Sequence, residues 1–182
     1  MSIDGFVAGP NASQTNPVGT NGLKLHDWMV DNPNEENWGA DKLKQDTGAA
    51  IIGYNMYYEA IPHWDNTGPL GDDIPCFVLT EDGKVPESAP AAFTFVTDGI
   101  ESALAQAKAA AGDKDVWIGG GASAIQQYLK AGLLDELRLH VVPIILGGGT
   151  SMFGEMGVFI ELEKVAVEDE SDVTHFTFKP KR

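Results

Sequence analysis

The triplet Gly119-Gly120-Gly121 ends an apolar run, Val116-Trp117-Ile118, and leads into Ala122 and Ser123. Glycine lets a backbone approach a ligand closely and take positive φ without strain. Beyond the triplet, Ile125, Leu129 and Leu133 recur at helical spacing, so the order expected is buried strand, glycine turn, helix. The first-turn N–H groups of such a helix, at the positive end of its dipole, make a place for phosphate. The spacing matches neither well-known glycine fingerprint, and a tight turn that binds nothing explains the same residues.

Other residues offer surfaces and protons. Trp28, Met29 and Trp64 can form a flat apolar wall for a planar heterocycle, or simply fill a core. His26 titrates near neutrality and can donate a proton, or be a surface residue. His140 alternates with Leu139 and Val141 and reads as a structural histidine facing the other side of a sheet. No His, Cys and carboxylate cluster has metal-ligand spacing, so no metal is expected. No serine or cysteine stands in a nucleophile setting.

These groups must be carried by a fold, and composition bounds it. The chain has 182 residues, 43% hydrophobic and 21% charged, which suits one globular domain over residues 1–182 with a real core. Cys76 is the only cysteine, so no intramolecular disulfide can form and a reducing compartment fits best. No apolar run reaches the ~20 residues that cross a bilayer, and the N-terminus lacks a signal pattern; a cytoplasmic location is expected. The net charge of −15 argues against nucleic acid and anionic membrane as partners. The only arginines are Arg138 and Arg182.

Taken in order, Met1 to Ala8 reads as a strand interrupted at Asp4-Gly5, and Gly9 to Gly22 as a long loop. Leu23, Leu25, Trp28 and Met29 mark a short amphipathic helix ending near Asn32-Pro33, and Gly39 to Thr47 another helical stretch. Ala49 to Gly53 is a buried strand, with Tyr54 to Ala60 turning into a helix. Ile74 to Thr80 and Ala92 to Thr97 are strands. Asp98 is a plausible N-cap for the alanine-rich helix Ile100 to Ala111, which Gly112 stops. Gly132 ends the helix after the glycine triplet, and Glu136 to Leu146 reads as one long strand before Gly147-Gly148-Gly149. Val158 to Glu168 and Val173 to Lys179 form an antiparallel terminal hairpin. The expectation is an α/β domain: a mixed, mostly parallel central sheet of about eight strands with an antiparallel C-terminal edge and helices on both faces.

With Ser2-Ile3-Asp4-Gly5-Phe6-Val7-Ala8, Ile52-Gly53-Tyr54-Asn55-Met56, Val78-Leu79-Thr80, Phe95-Val96-Thr97-Asp98-Gly99, Ile118-Gly119-Gly120-Gly121, Leu134-Asp135-Glu136-Leu137 and Pro143-Ile144-Ile145-Leu146-Gly147, the chain resembles the dihydrofolate reductase-like superfamily. Within it, the bacterial group related to the reductase domain of the riboflavin-biosynthesis deaminase–reductase is the best match. The resemblance implies an oxidoreductase that passes hydride from NADPH or NADH to a small planar heterocycle, pterin-like or aminopyrimidine-like, or to an activated C=N or C=O bond. It places the cofactor's pyrophosphate on Gly119, Gly120, Gly121, Ala122 and Ser123, and its adenosine near Gly53, Tyr54, Asn55, Met56, Leu79 and Thr80. The nicotinamide would lie near Ile3 to Ala8 and the strand end that includes Ile145 and Gly147. Phe6 joins Trp28, Met29 and Trp64 on the substrate side.

The same resemblance nominates two carboxylates. Asp4 lies in the motif that faces substrate in the riboflavin-type relatives, and is otherwise a turn residue beside glycine. Asp27 lies where dihydrofolate reductases place the carboxylate that binds the pterin, and is otherwise an exposed helix acid. A buried carboxylate there, its pKa raised, can help protonate a ring nitrogen. Relatives usually carry arginine at the position of Tyr54, where it contacts the extra phosphate of NADPH; Tyr54-Asn55-Met56 carries no positive charge, so a weakened preference for NADPH is expected. Lysines such as Lys84 can replace it only as point charges. Relatives also carry about half a strand before Ser2, so either an abbreviated first strand or a start upstream of Met1 is expected. A homodimer is implied as well. A second functional class stays open: a nucleotide-binding protein of this fold with little or no turnover.

Overall fold

A computed structural model describes residues 1–30, 40–65, 67–81, 83–170 and 172–181. The helix end expected near Asn32-Pro33, the start expected at Gly39, and Arg182 fall outside them. In chain order the first elements are β1 (Phe6–Ala8), α1 (Asp27–Val30), α2 (Ala40–Asp46), β2 (Thr47–Gly53), α3 (Tyr54–Ala60), β3 (Cys76–Leu79) and β4 (Phe93–Val96). Then come α4 (Ile100–Ala111), β5 (Asp115–Gly120), α5 (Ala122–Lys130), β6 (Leu137–Val141), β7 (Thr150–Ser151), β8 (Leu162–Asp169) and β9 (Thr174–Pro180). Contacts divide the chain into two units, one of Asn32–Ile125 and one of Met1–Asp31 with Gln126–Arg182.

The 32–125 unit holds a parallel sheet in the order β4-β3-β2-β5. In β2, Ala49, Ala50, Ile51 and Ile52 are fully buried, as a strand covered on both faces requires. β5 ends the sheet, which is why Val116 to Ile118, expected to be buried, are only half-buried. The alanine-rich α4 lays Ala103, Ala107 and Ala111 inward at a spacing of four residues. This small face lets the helix touch the sheet: a β-carbon at Gly48 would lie 2.5 Å from the Ala111 carbonyl oxygen. Gly112 (φ 62) stops the helix as expected, but its N-cap is Gly99 (φ 100) with no side-chain cap bond, so Asp98 does not cap it. Tyr57 meets Phe93 and Phe95 edge-on, at 5.0 Å each, and Trp64 stacks on Phe93.

The other unit is antiparallel. Its three-stranded sheet runs β6-β9-β8, and β1 pairs with β7. The long strand expected over 136–146 stops at Val141, two residues before Pro143, which has no N–H to give a ladder. The terminal hairpin forms, but its first strand begins at Leu162 rather than Val158. A core of Leu25, Val142 and Val173, flanked by Trp28, Ile144 and Leu146, fixes the short helical turns before α1. Loop 9–22 is closed at its neck by Gly9 N–H to Val18 O (2.9 Å) and Thr20 N–H to Pro10 O (2.8 Å).

The expected central sheet of about eight strands is therefore corrected: among the described residues the strands fall into a four-stranded parallel sheet, a three-stranded antiparallel sheet and a two-stranded pair. The chain's first residues show one reason. Ser2 accepts the Phe6 N–H on its Oγ at 3.0 Å, and Gly5 (φ 88) turns the backbone, so only Phe6–Ala8 is extended; Ser2 itself makes a single parallel bridge to Val142. No helix among the described residues is long and apolar enough to cross a membrane.

Candidate functional site

In the 32–125 unit, parallel pairing brings the carboxyl ends of β2, β3 and β5 to one edge. Register pairs Gly53 with Leu79 and Ile52 with Gly120. Crevices outside such strand ends are where open parallel sheets bind ligands. A β-carbon at Gly53 would lie 3.5 Å from the Gly121 nitrogen and 3.7 Å from Ala124 Cβ, so this edge is backbone-lined and close-set.

The three glycines of the triplet have different surroundings. At Gly119 the space a β-carbon would take is filled by the Trp117 indole, 2.4 Å from it. Gly120 has φ 133 and faces Met56 Sδ, and its peptide bond to Gly121 is cis. A β-carbon at Gly121 would meet nothing within 4 Å. That open backbone stands at the start of α5, whose first turn is tied by Ala124 N–H and Ile125 N–H to the Gly121 oxygen at 3.0 and 3.4 Å. Helix starts of this kind hold phosphate through their N–H groups.

Charge at this edge is sparse. Tyr54 stacks on Tyr58 with ring centroids 6.1 Å apart and planes 18° apart; Asn55 is exposed beside them. Thr80 is half-buried and its N–H bonds the Val96 oxygen at 3.0 Å. Lys84 is engaged by Glu81 at 2.9 Å, and the sequence from 32 to 125 contains no arginine. Trp64, expected on the substrate side, packs against the aromatic core of this unit.

In the other unit Asp4 is a clamp. Its carboxylate accepts the Leu146 N–H at 3.1 Å and the Gly147 N–H at 2.7 Å. A hydrogen bond from Ser2, then these two amides, hold its pKa below the ordinary carboxylate value. The same ties run along the segment: Ile3 N–H bonds the Ile144 oxygen, and Met152 N–H bonds the Gly5 oxygen. Gly149 (φ 119) lies so close to Ala8 that a β-carbon would meet its oxygen at 2.1 Å. Ile145 is exposed and Phe6 half-buried.

Asp27 is exposed and ion-paired to Lys24 at 2.8 Å, the surface arrangement that its second reading describes. Met29 is exposed. Trp28 is half-buried: its Nε1–H donates to the Leu25 oxygen at 3.0 Å, and its ring lies against His140 and His175. Sequence reasoning missed Ser2, which orders the Asp4 turn, and His175, which pairs with His140. Ser2 works through neighbours two and four residues on, in a turn that no periodicity marks, and His175 matters only through a strand pairing with a residue 35 positions away. No group of His, Cys and carboxylates that can hold a metal occurs among the described residues.

The fold has counterparts among solved structures. A putative riboflavin biosynthesis protein from Shewanella sp. PV-4 is 27% identical, with TM-score 0.77 over 100% of this chain and 96% of that one. A diaminohydroxyphosphoribosylaminopyrimidine deaminase/5-amino-6-(5-phosphoribosylamino)uracil reductase from Thermotoga maritima is 16% identical, with TM-score 0.62; 99% of this chain matches 54% of that one. Dihydrofolate reductase from Enterococcus faecalis, complexed with NADP(H), is 19% identical with TM-score 0.52, over 78% of this chain and 80% of that one. The fold is thus dihydrofolate reductase-like, and because the family model for the RibD C-terminal domain matches residues 1–176, through both units, the chain belongs to the RibD C-terminal domain family.

Proposed function

We propose that this protein is a reductase that uses a reduced nicotinamide nucleotide to reduce a small planar heterocycle of the aminopyrimidine or pterin class. The observation that carries this reading is the meeting of Gly53, Leu79 and Gly120 at the carboxyl edge of the parallel sheet, with the open backbone of Gly121 at the start of α5. A Cβ-free cradle before a helix start fits a pyrophosphate. The Thermotoga protein being a reductase, and the Enterococcus protein holding NADP(H), support the same reading.

The bound nucleotide supplies the hydride, and the chain supplies orientation and charge. Gly121, Ala122 and Ser123 receive the pyrophosphate on backbone N–H groups. Tyr54, Asn55, Met56, Leu79 and Thr80 line the adenosine side. Asp4, held ionised by its amide partners, fixes the Leu146-Gly147 turn, so that its part is to shape the nicotinamide and substrate floor formed with Phe6, Ile145 and Gly147. Trp28, on α1, gives a heterocycle an aromatic face.

A second reading, nucleotide binding with little turnover, is favoured by the same Asp4 geometry, since a carboxylate held low in pKa is a poor proton donor near neutrality. Titrating the purified protein with NADPH and NADH, following tryptophan emission, tests both. Saturable binding near ~1 μM, about −8 kcal/mol, is expected. Oxidation of the bound nucleotide by a panel of pyrimidines and pterins then separates reductase from binder, and no binding of either nucleotide removes both readings.

A further inference from the structure

Under Trp28 lies a polar arrangement that the reduction does not use. β6 and β9 run antiparallel with His140 directly opposite His175, and their Nδ1 atoms are 2.6 Å apart. The His175 side chain is fully buried. Its other nitrogen, Nε2, lies 3.5 Å from Glu170 Oε1. The Trp28 ring covers both imidazoles, tilted by 31° over His140 at 4.9 Å and edge-on to His175 at 5.1 Å.

With an ionised Glu170 facing Nε2 at ion-pair distance, hydrogen-bond chemistry favours one arrangement of protons here. A neutral imidazole has one N–H and one lone pair, and an ionised carboxylate only accepts. Facing Glu170, His175 carries its proton on Nε2, which leaves Nδ1 as an acceptor. His140 must then carry its proton on Nδ1 and donate it to His175. A further proton on His175 Nδ1 would set two N–H groups against each other.

The charged and titratable groups around the pair come from several elements. Glu168 on β8 is opposite His175 in register, and Glu170 follows β8. Arg138 lies two residues before His140 on β6, and the Met1 amino group donates to the His140 carbonyl oxygen. From α1 comes Trp28, preceded by Asp27, which is paired with Lys24. Burial is the largest influence on both histidines and disfavours their charged forms; His140 is pushed down to about 3, with His175 the next contributor.

We propose that His140 and His175 are positioning residues for Trp28: with one proton shared between their Nδ1 atoms and the tautomer fixed by Glu170, the pair sets the pose of the indole. The consequence for catalysis, a pre-set aromatic face for a planar substrate, rests on the proposed function; the geometry and its test do not. The indole is tied by its N–H to the Leu25 oxygen and rests on imidazole faces whose orientation the shared proton fixes, so ring volume at position 140 does not replace the pair.

The test uses the whole chain without nucleotide. Nitrogen-15 NMR of the imidazoles at neutral pH is expected to show His140 protonated on Nδ1 and His175 on Nε2; His140 protonated on Nε2 overturns the proposal. Near-ultraviolet circular dichroism, with Trp28→Phe identifying the Trp28 band, gives the second readout. His140→Phe keeps a ring but no donor and is expected to lose that band; His140→Asn restores a donor near the Nδ1 position and is expected to recover it. A His140→Phe protein that retains the band shows that packing alone suffices and overturns the proposal. Should His140→Phe fail to fold, the tautomers of the unmodified chain still decide. Because no nucleotide is present, a failure here leaves the reductase reading standing, and a failure to bind nucleotide leaves this one standing.

Discussion

The Trp117 indole occupies the space above Gly119, two residues along the same strand, so closely that a β-carbon on Gly119 would come within 2.4 Å of the ring. The first glycine of the triplet thus serves packing, while at Gly121, where a β-carbon would meet nothing within 4 Å, there is room for a ligand. Gly119→Ala forces the indole aside and is expected to cost about 1–3 kcal/mol, lowering Tm by about 3–9 °C for a chain of this size. Gly121→Ala is expected to leave Tm close to that of the parent protein and to weaken nucleotide binding about tenfold or more, by filling the cradle. Thermal melts and nucleotide titrations of the two variants check this; equal effects of both on binding at unchanged Tm would sink the division of labour.

Asp4 gives a prediction in pH. Its folded-state pKa is held below the ordinary aspartate value of 3.8, so its unfolded form takes up a proton first as pH falls. Its contribution is fully present above that value and is lost as pH drops through the folded pKa. Asp4→Asn is therefore expected to lower Tm at neutral pH, and the gap between variant and parent to close in strong acid. A gap that stays constant from neutral pH into strong acid would show that the amide contacts at Leu146 and Gly147 do not depend on charge.

The histidine pair gives a second acidic window with the same sign. Both are bases whose folded pKa is depressed by burial, His140 from 6.5 to about 3. Between those values the unfolded chain binds more protons than the folded one, so stability is expected to rise with pH across that window. Chemical denaturation at a series of pH values in the parent protein and in His140→Asn checks it: the variant should show a shallower rise.

Local residues announced the parts of this fold that local physics controls. The apolar run Ala49 to Gly53, the alanine face of α4 with its glycine stop, and the alternation over Val173 to Lys179 each became the element expected. The order strand, glycine turn, helix over Val116 to Lys130 was legible because glycines between an apolar run and a helical repeat mark a turn. What failed depended on particular hydrogen bonds, near or far along the chain, that hydrophobic patterning does not show. Pro143 ended β6 early because a neighbour's ladder needs the N–H it lacks, and Ser2 bent the first strand through the Phe6 amide. Nothing in residues 140 and 175 alone says that they will meet, because the β6–β9 register that joins them is a tertiary fact. Asp4 was singled out for chemistry, but its two amide partners at 146 and 147 come from a loop no local pattern could bring to it.

Cofactor preference follows from what the nucleotide edge lacks. A ribose 2′-phosphate is best held by the bidentate fork of arginine, and the 32–125 sequence has none. Lys84, the lysine nearest in sequence to the Leu79-Thr80 strand end, is engaged by Glu81, whose own charge repels phosphate. Tyr54 offers a ring stacked on Tyr58 in place of a cation. The parent protein is therefore expected to bind NADH at least as tightly as NADPH. Tyr54→Arg adds a charge-assisted hydrogen bond of about 1.5–3 kcal/mol to the 2′-phosphate, so NADPH affinity is expected to rise about tenfold or more relative to NADH. Competitive titration of both nucleotides against both proteins checks it, with Tyr54→Phe as the control that keeps the ring and adds no charge. A strong NADPH preference in the parent protein would mean that other cations of the chain, or backbone groups alone, hold the 2′-phosphate, and the preference assigned to Tyr54 would fall.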